Sequence, residues 1–105
     1  MARVLWTRSA EVDLAEIHLY IASRAQSAAP ADRWIDAIRD KCRLYATQPE
    51  MGEARPDLGA DLRVLIVGEY VAIYHPVQAG IEVLRVVHGH RDFPALFPKT
   101  DAPQS

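Results

Sequence analysis

The stretch LRVLIVGEYVAIYHPVQAGIEVLRVVH, residues 62–88, decides how this chain folds. It divides into three runs, Leu62 to Val67, Tyr70 to His75 and Ile81 to His88, each rich in β-branched and aromatic residues. Gly68 and Glu69 separate the first two, and Pro76 to Gly80 separate the last two. Strand-like runs joined by connectors this short read as successive hairpins. Within the last run Arg85 interrupts an apolar series. Period-two alternation assigns it to the face of Ile81, Val83 and Val87, opposite Leu84, Val86 and His88. A guanidinium on such a face must snorkel to solvent or meet an acidic or phosphate partner, and Glu69 and Asp61 are the internal candidates.

Upstream, PEMGEARPDLGAD, residues 49–61, is dense in turn-forming residues and reads as a loop. Before it, Ala31, Trp34, Ile35, Ile38, Cys42 and Tyr45 form one apolar stripe at helical spacing. That helix runs to about Gln48, with Ser27 as its cap, Pro30 in its first turn and Pro49 ending it. A preceding helix carries Ala10, Leu14, Ile17 and Ile21 on its inner stripe, and Glu11, Asp13, Glu16 and Arg24 fall mostly elsewhere. Thr7 or Ser9 caps it, and Glu11 and Asp13 suit the positive end of its dipole. RVLW, residues 3–6, reads as a first strand. The order is therefore strand, helix, helix, strand, strand, strand. Such an α+β chain buries both stripes most economically by packing an N-terminal helical hairpin on one face of an antiparallel-rich sheet.

A chain of 105 residues is the length of one domain. Residues 1–97 are expected to form it, with 98–105 as a flexible tail carrying two prolines and no apolar residue larger than alanine. The single Cys42 forms no internal disulfide and fits a reducing compartment. The first residues lack the apolar run of a signal peptide and no run approaches membrane-spanning length, so a cytoplasmic location is expected. Twelve basic against fourteen acidic residues give a formal charge of −2, which disfavours a phosphate backbone as the primary partner.

Candidate chemistry gathers after the last strand-like run, where His88 and His90 stand beside Arg91 and Asp92. Histidine is the commonest acid or base near neutral pH, although a solvated turn explains two of them equally well. No further ligands with suitable spacing suggest a metal, no glycine-rich loop cradles a phosphate, and neither Ser9 nor Ser23 sits in an elbow motif. Cys42, on an apolar stripe, is expected to be a buried, inert thiol. Arg55, Arg63, Arg85 and Arg91 all fall in the half of the chain that makes the sheet and its loops, where they could converge.

Three segments, WTRSAEVDLAEIHLYIA (6–22), PEMGEARPDLGADLRVLIVGEYVAIYHP (49–76) and IEVLRVVHGHRD (81–92), resemble in order and spacing the ParE branch of the ParE/RelE toxins of bacterial toxin–antitoxin systems. The resemblance covers nearly the whole chain to Phe97 and implies the same fold. It also implies one of two activities: RelE-like members cut messenger RNA on the ribosome, and ParE-like members poison DNA gyrase. The ribonuclease branch carries basic side chains on its first sheet strand after the helices, an arginine after a Gly-x-Tyr-like turn, a late arginine and a terminal tyrosine or histidine. These orient the 2′-hydroxyl and stabilise charge on the attacked phosphate. Here Arg91 matches the late arginine and Arg63 could serve as one basic group. Val71, Leu65 and Val67 stand where further basic groups belong, and Phe97 replaces the terminal tyrosine. Phenylalanine cannot move a proton.

The resemblance thus implies a non-catalytic toxin of the plasmid-stabilisation type, without cofactor or metal. Arg85, Arg91, Asp92, Phe93 and Phe97 would grip DNA gyrase in its complex with DNA, with Leu96 as a further apolar anchor. A ParD-like antitoxin would lie over Leu19, Tyr20, Trp34 and Tyr45, some of which should be too exposed for a monomer core. The alternative reading is a ribosome-dependent endoribonuclease using Arg63, Arg91 and His88 or His90. An inactive relative that only binds antitoxin is a third.

Overall fold

A computed structural model describes residues 2–90. Its elements are β1 (Arg3–Trp6), α1 (Arg8–Ala25), α2 (Ala28–Thr47), a 3-10 turn (Pro49–Met51), β2 (Glu53–Ala54), β3 (Arg63–Val67), β4 (Tyr70–Val77) and β5 (Gly80–His88). Thr7 caps α1 by accepting from the Ala10 amide, and Ser27 caps α2 by accepting from the Ala29 amide. Each removes an orphan donor at a helix start. Gln26 closes α1 in the left-handed region, with φ of 54°, so the chain reverses directly into α2.

The strands form one five-stranded sheet in the order β1-β5-β4-β3-β2. The hairpins pair antiparallel as expected, and β1 pairs parallel to β5, with Arg3 beside Gly80 and Trp6 beside Val83. That approach is tight: a Cβ on residue 80 would run into the Arg3 backbone, so only glycine fits. Gly68, at φ 59°, turns the β3–β4 hairpin beneath the Trp34 ring, where a side chain would collide. The α1–α2 hairpin covers one face, burying Leu14, Ile17, Ile38 and Cys42 against Leu65, Ala72, Tyr74, Ile81, Val83 and Val86.

Three details depart from the sequence reading. The segment read wholly as a loop contributes β2, whose two residues pair with Arg63 and Val64. Two residues carry too little pattern to signal a strand. Next, the β4–β5 register shifts between Ile73 and Tyr74: Tyr74 faces Val83 and Ile73 faces Arg85, leaving Leu84 as an extra residue. A bulge reverses the alternation beyond it. Val86, not Val87, therefore joins Ile81 and Val83 in the cluster beneath the helices, while Val87 is buried outside that cluster. Finally, Asp13 lies inward rather than among the outer polar residues of α1, with only 8% of its surface exposed.

Candidate interaction surfaces

Asp13 occupies the point where β1 ends and β5 continues. Its carboxylate accepts from Arg85 Nε at 2.7 Å, Arg85 Nη2 at 3.0 Å and the Val86 amide at 2.9 Å. A donor of the sheet that has lost its strand neighbour is thus satisfied by a helix side chain. The partner of Arg85 is Asp13, not Glu69 or Asp61. This bidentate pair raises the Arg85 pKa, chiefly through the hydrogen bonds to Asp13. Thr7 ties the same corner, its Oγ1 donating to the Leu84 carbonyl at 2.8 Å.

At the start of β3, Arg63 Nη1 donates to the carbonyls of Glu50 (3.0 Å) and Gly52 (2.7 Å). Beside it Tyr74, fully buried, donates its hydroxyl to the Pro49 carbonyl at 2.7 Å and accepts from the Gly52 amide at 3.0 Å. Burial pushes the Tyr74 pKa up, keeping the phenol neutral and able to do both. Arg63 and Tyr74 therefore hold the 3-10 turn and β2 onto the sheet.

His88 lies at the other end. Tyr70 pairs with Val67 on one side and His88 on the other, so four residues of β3 and two strand spacings separate Arg63 from His88. That is roughly 16 Å at ordinary strand geometry. The rings of Trp34, Tyr70, His88 and His90 follow one another, with centroids 5.5, 5.6 and 6.5 Å apart. His88 Nε2 meets Glu69 Oε1 at 3.1 Å. The proposed nuclease residues Arg63 and His88 are consequently not brought together, and among the described residues no three His, Cys, Asp or Glu converge as metal ligands. Arg91, Asp92, Phe93, Leu96 and Phe97 lie outside the described residues.

The outer face of α1 presents Leu19, 70% exposed, and Tyr20, 42% exposed, with the Arg24 guanidinium 5.3 Å from the Tyr20 ring centre. Trp34 and Tyr45 are half-buried instead and pack on the core, edge-on to Tyr70 and Tyr74. Cys42 is wholly buried on α2, where loss of water pushes its thiol pKa up to about 12. No helix among the described residues is long and apolar enough to cross a membrane.

Sequence reasoning missed Asp13 and Tyr74 as polar anchors. A signal existed for Asp13: it lies three residues after Ala10 and four before Ile17, on the stripe rather than off it. None existed for Tyr74, whose partners are backbone groups of a loop.

These features define a small α+β protein with an exposed apolar pair on α1 and buried polar anchors at both ends of its sheet. The chain belongs to the ParE toxin family of the type II toxin–antitoxin system parDE, whose pattern matches residues 4–93. Among solved structures it is similar to a chain described as "Chromosomal ParDE TA system from P. aeruginosa", with a TM-score of 0.70 at 21% identity over 84% of this chain and 96% of that one. At that identity the likeness speaks for the fold. No curated protein matches the sequence.

Proposed function

We propose that this toxin acts by gripping DNA gyrase in its complex with DNA, blocking resealing of the cut strands without catalysing a reaction, and that a ParD-like antitoxin neutralises it in the cytoplasm. The observation that carries the non-catalytic reading is the separation of Arg63 from His88. A nuclease needs its charge-stabilising and proton-moving groups around one phosphate, and Arg63 is already committed to two backbone carbonyls. For the antitoxin, the exposed Leu19 and Tyr20 offer an apolar strip on α1 that an amphipathic partner helix could cover. Trp34 and Tyr45 would contribute only their outward edges. Arg85, Arg91, Asp92, Phe93 and Phe97 are the residues proposed to meet gyrase, within a domain spanning residues 1–97. Arg85 would do so while anchored on Asp13.

The experiment mixes purified protein with gyrase, ATP and supercoiled plasmid, with and without antitoxin. Protein-linked linear DNA that disappears with antitoxin is the expected result. Exchange of Leu19 and Tyr20 for serine should leave the linear DNA but prevent its suppression. If no linear DNA forms with a folded sample that still binds antitoxin, and messenger RNA is cut on ribosomes in a manner abolished by Arg91→Ala, the gyrase reading is wrong.

A further inference from the structure

The end of the sheet farthest from His88 carries a cleft that the toxin reading leaves unassigned. It forms because β4 outruns β3. The first residue of β3, Arg63, lies opposite Tyr74, so His75, Pro76 and Val77 continue beside β5 with no residue of β3 opposite them. Proline suits that position, since it has no N–H left wanting a strand neighbour. Two adjoining hollows of about 490 and 260 Å³ occupy the notch and share Glu50 and Pro76 in their walls. The 3-10 turn after α2 contributes Pro49 and Met51, and the loop leading into β3 contributes Asp61 and Leu62.

The walls are apolar and the rim is negative. Pro49 and Pro76 are half-buried, and Met51 is 44% exposed, an adaptable thioether on an otherwise rigid surface. Glu50 and Asp61 stand exposed, and among the described residues neither enters an ion pair. Asp61 is set in the left-handed region, with φ of 62°, a conformation that aspartate tolerates. α2 ends at this cleft with no basic residue in its last turn, so no side chain of that turn offsets the negative end of its dipole. Arg63 lines the cleft as well, but its Nη1 is spent on the Glu50 and Gly52 carbonyls, which holds the guanidinium against the turn.

We propose that this cleft receives a lysine- or arginine-bearing apolar segment of a partner protein. The segment's apolar side chains would cover Met51 and the two prolines, and its cations would meet Glu50 and Asp61 beside the last carbonyls of α2. A second copy docking through the same cleft would set these carboxylates against their own equivalents, which is unfavourable. Neither Leu19 nor Tyr20 lines the cleft, and it lies at the opposite end of β4 from Tyr70. The proposal therefore stands whether or not gyrase is the target.

The test uses the full chain and a short fluorescein-labelled peptide that alternates lysine and valine, with a glutamate–valine peptide as control. The lysine peptide should raise fluorescence anisotropy and shift amide resonances of residues 49–52, 61–63 and 75–77, and the glutamate peptide should do neither. Glu50→Lys with Asp61→Lys should weaken binding about tenfold or more. Asp36→Lys with Asp40→Lys makes the same change of charge at exposed positions of α2 and should leave binding nearly unchanged. Met51→Ser removes exposed apolar surface and should weaken binding about fivefold. If the first pair does not fold, Met51→Ser and the pattern of shifted resonances decide. Failure of the lysine peptide to bind, equal binding of the glutamate peptide, equal losses from the two charge reversals, or shifts centred elsewhere would overturn the proposal. Shifts that appear without peptide as protein concentration rises would assign the cleft to a second copy. Tighter binding after Lys99→Glu would assign it to the chain's own last residues, and either result overturns the proposal too.

Discussion

At one edge of the sheet β1 lies parallel to β5, brought there from the far end of the chain. At the other, β2 is a two-residue antiparallel strand close in sequence to β3. Both edge strands are short, and beside each a buried polar side chain reaches backbone. Asp13 does this for the β1 side by accepting the Val86 amide, and Tyr74 does it for the β2 side by bonding Gly52 and Pro49. The difference lies in charge. Asp13 is paired with Arg85 as well as with the Val86 amide, so removing it strands a cation along with an amide, whereas Tyr74 is neutral and its loss leaves only two polar groups without that partner.

Asp13→Ala should therefore be the more damaging change, costing about 3 kcal/mol, because it leaves a buried N–H unsatisfied and Arg85 unpaired. Urea unfolding of the variant measures this, and a loss below that of the tyrosine variant would reverse the ranking of the two edges. Tyr74→Phe keeps the ring in the core and removes the hydroxyl, for an expected cost of about 1–2 kcal/mol. Hydrogen exchange should quicken at Gly52 and through β2 while β1 is unchanged. A uniform effect on both edges would mean that they are not independent.

The smallest effect lies between the edges, at Cys42. Its folded pKa of about 12 exceeds the reference 9.0, so above pH 9 the unfolded chain gives up a proton that the folded chain keeps. Stability from this group is complete below pH 9 and declines as pH rises toward 12, with a limiting slope of about 1.4 kcal/mol per pH unit. The stability difference between the natural chain and Cys42→Ala should accordingly narrow from pH 8 to pH 10 by about 1 kcal/mol. A constant difference would mean that the thiol ionises as readily folded as unfolded.

Local chemistry made most of the fold legible. The helix caps at Thr7 and Ser27, the apolar stripes and the connectors between the last strands each follow from residues near one another in the sequence, where propensity and turn preference act directly. The exposed character of Leu19 and Tyr20 could also be anticipated, as large apolar residues beside rather than on the stripe of α1. Arg85 could not be read fully. Its position pointed to a partner, but the bulge at Leu84 changed the face and the partner lay 72 residues away.

The sequence by itself determined the element order, the helical hairpin on one sheet face and, through its family motifs, membership among the ParE toxins. Only the tertiary structure decided that Asp13 belongs to the sheet corner, that Tyr74 and Arg63 hold β2, and that Arg63 stands far from His88. The physical reason is common to all three. A side chain's periodicity reports whether it faces inward, but the group it meets there is set by strand register and helix position, and a single extra residue in β5 is enough to change both.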